Sequence, residues 1–139
     1  MTKPIMDTGA FVGLLSPNDE HHEWAKTVFK SIKPPFHTTE AVITEVCFLL
    51  PNSQAVRAFL AKIGSGVIKI DFNLHEQITS ILSLMETYGD RGIDLADASV
   101  IRLSELHNDC HVFTTDREDF TVYRRNGRQV IPFTAPRRL

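Results

Sequence analysis

The sequence predicts an α/β fold with a short, mostly parallel β-sheet flanked by helices. Three observations carry this. Short apolar runs of strand character alternate with longer segments whose apolar residues recur at helical spacing, as crossover helices between parallel strands require. Two of the short runs, Ile5-Met6 and Cys110–Thr115, lead directly into aspartates. The 139 residues, 42% hydrophobic and 23% charged, are enough for a real core in one domain, expected to span residues 1–139.

Ile5 and Met6 read as a very short strand, with Pro4 at its first position, where a missing N–H does least harm. Asp7 ends it. Thr8-Gly9 then turns the chain into a helical run carrying Phe11, Val12, Leu14 and Leu15, which Pro17-Asn18-Asp19 breaks. A second helix is expected over Glu20–Ile32, ended by Pro34-Pro35. A brief strand follows at Phe36–Thr38. Thr39 caps a helix that runs through Leu50 and is apolar nearly all round, so it is expected to be buried. Glu45 sits in its middle, and a buried carboxylate needs a pair, hydrogen bonds or a metal.

Asn52-Ser53 opens a helix over Gln54–Ile63, with Val56, Phe59, Leu60 and Ile63 expected inward. After the Gly64-Ser65-Gly66 turn, Val67–Phe72 alternates as a strand. Glu76–Met85 is helical, and Tyr88–Gly92 is a loop. The helix predicted over Leu95–Leu106 has Asp94 as its N-cap and Ala96, Val100, Leu103 and Leu106 along one side. Asp97 follows Asp94 by three residues, the spacing of an acidic capping box. Cys110–Thr115 is the next strand, a loop holds Asp116 and Asp119, and Gln129–Phe133 suggests a last strand.

The net charge of −2 gives no general attraction to nucleic acid. The C-terminus differs: Arg124, Arg125, Arg128, Arg137 and Arg138 are five of the 15 basic residues, either a solvated tail or a local phosphate-contacting patch. No apolar run approaches a membrane span, and the N-terminus lacks the apolar stretch of a signal peptide. Cys47 and Cys110 lie in apolar segments and read as buried free thiols, so a cytoplasmic location is expected.

The acids are the chemical signal. In a parallel sheet the strand C-termini share one edge, and ligands bind there near the point where strand order reverses. Asp7 and Asp116 each follow a strand. If those strands are neighbours, the two carboxylates face each other, and the helix start with Asp97 approaches the same edge. Clustered carboxylates repel unless a cation lies between them. Hard divalent cations prefer such oxygen ligands, and the arrangement suits phosphodiester hydrolysis.

The pieces IMDTGAF, TTEAVITEV, DLADASVIRLSEL and FTTDREDF, in that order, resemble the PIN-domain nucleases and, within them, the VapC-type toxins of toxin–antitoxin pairs. The resemblance implies a three-layer fold and a homodimer. It also implies Mg2+- or Mn2+-dependent cleavage of RNA and inhibition by a small cognate antitoxin. It matches Asp7, Glu45, Asp97 and Asp116 to the acidic quartet, with Asp7, Asp97 and Asp116 as metal ligands. Asp119 matches an accessory acid, and Thr8 and Thr114 match supporting hydroxyls. Gly9 departs from it, since many members carry Ser there. Arg124, Arg125 and Arg128 are candidates for an RNA-contacting rim.

Four other functions compete. Asp7-Thr8-Gly9 after apolar residues suggests an aspartic protease, but those enzymes are almost all β. The histidine pairs His21-His22 and His107…His111 lack the flanking ligands of a zinc motif. A non-catalytic RNA-binding module is opposed by the presence of all four acids, and a free-standing RNA-processing nuclease is the alternative to the toxin.

Overall fold

A computed structural model describes residues 2–137. Its strands are β1 (Lys3–Met6), β2 (Phe36–Thr38), β3 (Ile68–Ile70), β4 (Cys110–Phe113), β5 (Arg124–Arg125), β6 (Gln129–Val130) and β7 (Phe133–Thr134). Its helices are α1 (Thr8–Leu15), α2 (His22–Ser31), α3 (Glu40–Leu49), α4 (Ser53–Gly64), α5 (Leu74–Thr87), α6 (Leu95–Leu106) and α7 (Arg117–Val122). Five strands form one parallel sheet in the order β3-β2-β1-β4-β7, flanked by helices. The strand order reverses between β1 and β4, which pair from Lys3↔Cys110 to Met6↔Phe113. That junction is the edge where an open parallel sheet binds its ligand.

β1 is central because both of its faces are apolar. Ile5 and Met6 point to opposite sides and neither is accessible to solvent. α6 packs on α3 and α5 and touches β1 and β4. Its start is tied down twice: Asp94 Oδ1 accepts from the Asp97 backbone N–H at 2.8 Å, and Ser99 Oγ lies 2.7 Å from Thr39 Oγ1, the N-cap of α3. These contacts carry the first turn of α6 to the switch-point edge.

Several expectations need correction. α3 is not buried all round. Val42, Ile43, Val46 and Leu50 face the core, whereas Phe48 is 85% exposed and Leu49 is also exposed. A helix packed on one side buries one stripe, and nothing among the described residues covers the other. Leu60 of α4, Ile78 and Leu82 of α5 and Leu106 of α6 are likewise exposed. The Val67–Phe72 strand contracts to β3. The Tyr88–Gly92 loop contains a 3-10 turn, Gly89–Arg91, that closes on Gly92 with φ 72°. The loop after β4 is helix α7, capped by Asp116 through the Asp119 N–H. The last strand divides: β6 pairs antiparallel with β5, and β7 joins β4.

Cys110 is buried, Cys47 half-buried, and both are free thiols. Among the described residues no helix is long and apolar enough to cross a membrane. The all-parallel sheet also removes the aspartic-protease alternative.

Candidate active site

Asp7 leaves β1 and caps α1. Its Oδ1 accepts from the Thr8 backbone N–H at 2.8 Å, and its Oδ2 accepts from Thr114 Oγ1 at 2.7 Å. The same Thr114 hydroxyl accepts from the Asp116 backbone N–H at 3.0 Å. One hydroxyl just beyond β4 therefore links two of the expected acids. Thr8 contributes its backbone N–H to Asp7. Its own Oγ1 is buried without a hydrogen-bond partner among the described residues.

Asp97 reaches the edge from the first turn of α6. Its Oδ2 accepts from Tyr123 Oη at 3.0 Å. Asp94 caps the helix as expected, through the Asp97 backbone N–H. Asp116 and Asp119 bracket the first turn of α7. Carboxylate oxygens of Asp97, Asp116 and Asp119 lie within 4.8 Å of one another, close enough to share an ion. Asp119 is also held by Arg91, whose Nη2 and Nε donate to its Oδ1 at 2.8 and 3.2 Å.

The electrostatics follow from this crowding. Burial pushes the Asp7 carboxyl up to about 6 against the Thr114 and Thr8 hydrogen bonds, and Glu45 and Asp116 add repulsion. Burial pushes Asp97 up to about 8, helped by the charges of Asp7 and Asp94 and opposed by the Tyr123 hydrogen bond. Asp116 is raised too, first by burial and then by the balance of its contacts with Asp119 and the charge of Glu118. Asp119 goes the other way: burial would raise it, but hydrogen bonding from Arg91 and with Asp116, together with the Arg91 charge, holds it low. Burial and Asp97 together hold the Tyr123 phenol well above its ordinary value.

The expected quartet is thus brought together unevenly. Asp7, Asp97 and Asp116 converge at one edge, and Asp119 stands closer to Asp97 and Asp116 than an accessory role implies. Glu45 is half-buried on α3, near enough to raise Asp7, and it lies outside the tight cluster. The donors are all hard oxygens. With Asp7 and Asp97 resisting ionisation and the Thr8 hydroxyl unpartnered, they fit a divalent cation that would hold these carboxylates charged.

Gly9 is required where it stands. A Cβ there would lie 1.9 Å from Thr115 Oγ1, so the Thr115 side chain occupies the space a residue-9 side chain would need.

The three arginines expected at the rim stand in different surroundings. Arg125 is buried, and its Nη2 donates to the carbonyl oxygens of Ser104 and His107 at the end of α6. Arg124 Nη1 donates to the carbonyls of Thr121, Val122 and Tyr123. Of the three, only Arg128 is exposed. Arg138 lies outside the described residues. Two histidines meet a different acid: His37 Nδ1 lies 2.9 Å from Asp71 Oδ2, and His107 Nε2 approaches the same oxygen at 3.3 Å.

Sequence reasoning missed Tyr123 and Arg91. Tyr123 belongs to an apolar-aromatic stretch that signals only core, and Arg91 has no local cue to Asp119, 28 residues away.

A parallel sheet with a carboxylate cleft at its switch point defines an α/β protein suited to a hard divalent cation. A family model described as PIN domain matches residues 5–126, and the chain belongs to the PIN-domain family. PIN domains are generally nucleases that depend on divalent metals. A comparison with curated proteins returned no match.

Proposed function

We propose that residues 1–139 form one PIN-like domain acting as a Mg2+- or Mn2+-dependent endoribonuclease, the toxin of a type II toxin–antitoxin pair. The observation that carries the nuclease reading is the convergence of Asp97, Asp116 and Asp119 within 4.8 Å beside the buried Asp7. Asp7, Asp97 and Asp116 are the ligands for the cation, with Asp119 in reach. When bound, the cation supplies charge stabilisation at the phosphodiester and lowers the pKa of water.

The chain's own residues do the rest. Thr114 and the Thr8 N–H fix both oxygens of Asp7, and Tyr123 fixes Asp97. Arg91 neutralises Asp119, which limits repulsion in the cleft. Glu45, at the margin of the cluster, is the residue assigned to orient or deprotonate the attacking water.

The toxin reading adds partners, an antitoxin protein and a second copy of the chain, and a cytoplasmic setting. Uncovered apolar side chains such as Phe48 and, at 61% exposure, Leu82 support protein partners. Expression alone should arrest growth, co-expression of the adjacent gene should relieve the arrest, and sequencing of cellular RNA ends should reveal the cleaved target. Cleavage without arrest, or without any neutralising neighbour, favours a free-standing RNA-processing nuclease. Intact RNA ends and no arrest favour a non-catalytic module.

A further inference from the structure

Beside the acid cluster lies a groove of about 730 Å³ that shares Asp116 with it. Trp24 of α2 and His21 line one part, and Thr115, Arg117 and Arg137 line another. We infer that this groove is a nucleotide subsite, in which an unpaired RNA base stacks on Trp24 next to the scissile phosphate. The inference rests on the nuclease reading of the acids and names how the substrate is held there.

Four features favour a base as the occupant. The volume falls in the range of sites that enclose a small organic ligand. Trp24 packs on the core yet is only partly buried, and the rest of it lines the groove. The groove's charges nearly balance: Arg117 and Arg137 stand against Asp116, Glu20 and Glu118. A groove of that balance gains little from phosphate attraction, whereas stacking on an aromatic face is independent of charge and tolerant of sequence. Finally, the wall is fixed before binding. Arg117 Nη2 and Nε donate to the carbonyls of Ala135 and Pro136 at 2.7 and 3.3 Å, and its guanidinium lies 6.0 Å from the centre of the Phe133 ring. Arg137 follows this clasp and is exposed at the groove, where it can meet a flanking phosphate.

Trp24 is the chain's single tryptophan, so tryptophan fluorescence excited beyond the tyrosine band reports on this position alone. The full chain is titrated, in chelator so that nothing is cut, with a short unstructured oligoadenylate, and binding is followed in parallel by anisotropy of the labelled RNA. Saturable quenching is expected. Trp24→Leu should raise Kd about tenfold, the loss of one base–aromatic stack, and Trp24→Phe should restore most of the affinity. Arg137→Ala should lower the salt slope of binding by about one.

Absence of saturable quenching, or an unchanged Kd in a Trp24→Leu protein with native circular dichroism, overturns the subsite. Quenching by an arginine-bearing peptide and not by RNA overturns it in favour of a protein occupant. The nuclease reading is scored separately with metal present. Cleavage with an unresponsive Trp24 removes only the subsite, and quenching without cleavage in either metal removes only the nuclease.

Discussion

Tyr123 donates its phenolic hydrogen to Asp97 Oδ2 across 3.0 Å from a ring with no solvent exposure. The ring is clamped by Tyr88 and Phe120 at centroid distances of 5.0 and 5.2 Å, so the hydroxyl has little freedom to leave. The bond favours the ionised form of Asp97, the form a cation needs. Tyr123→Phe removes the hydroxyl and keeps the ring. Asp97 should then titrate higher, moving the acidic limb of the pH–rate profile to higher pH. Metal affinity should fall about tenfold, measured by calorimetry beside a melting curve that shows the fold intact.

Acid pairing makes Asp119 less critical than its neighbours. Arg91 already compensates its charge. Asp119→Asn should weaken metal binding less than Asp97→Asn or Asp116→Asn does, in one titration series across the three variants. Equal losses would mean that Asp119 ligates as fully as the others.

The close approach at Gly9 gives a packing prediction. Gly9→Ser should destabilise the fold by about 1–3 kcal/mol, because Thr115 must vacate its place. Adding Thr115→Gly should recover part of the loss. A double-mutant cycle from urea unfolding reads the coupling, and additive effects would contradict it.

Arg125 belongs to the fold. Arg125→Ala strips the carbonyls of Ser104 and His107 of their donor and should cost about 1–3 kcal/mol in urea unfolding. The salt slope of RNA binding should not change. Arg128→Ala should show the reverse, since of the three only Arg128 is exposed, and its guanidinium makes no hydrogen bond among the described residues.

The legible part of this protein was the part specified locally. Helix α6 runs over Leu95–Leu106 as its spacing predicts, and Asp94, Thr39 and Asn52 cap the helices they precede. Asp7 and Asp116 follow strands, and a parallel sheet leaves little choice but to bring such ends together. What could not be read depends on the third dimension. Tyr123 meets Asp97, Arg91 meets Asp119 and Arg125 meets α6 only after the chain has folded. Phe48 and Leu49 misled because apolarity marks a surface to be covered without saying whether this chain covers it.

The raised carboxylates set a pH dependence of stability. Asp7 goes from 3.8 to about 6 and Asp97 from 3.8 to about 8 on folding, so the folded state binds their protons more tightly than the unfolded state. Their contribution is fully present below about 3.8 and is lost as pH rises through 6 and then 8. In chelator the melting temperature should therefore fall between pH 5 and 8.5. A divalent cation at about ten times its Kd should restore about 1.4 kcal/mol, roughly 5 °C. Asp97→Asn keeps an acceptor for Tyr123 and removes a charge. It should flatten the decline and shrink the metal response. A wild type indifferent to both metals would undercut the carboxylate cleft.

Cleavage itself is the most direct test. Purified wild-type protein and Asp116→Asn are incubated with the same RNA in chelator, in magnesium and in manganese, and single-turnover rates are compared. The wild type should cut only with metal, and Asp116→Asn should be slower by about a hundredfold or more while melting normally. Metal-independent cutting, or wild-type rates in Asp116→Asn, would contradict an active site built on Asp7, Asp97 and Asp116.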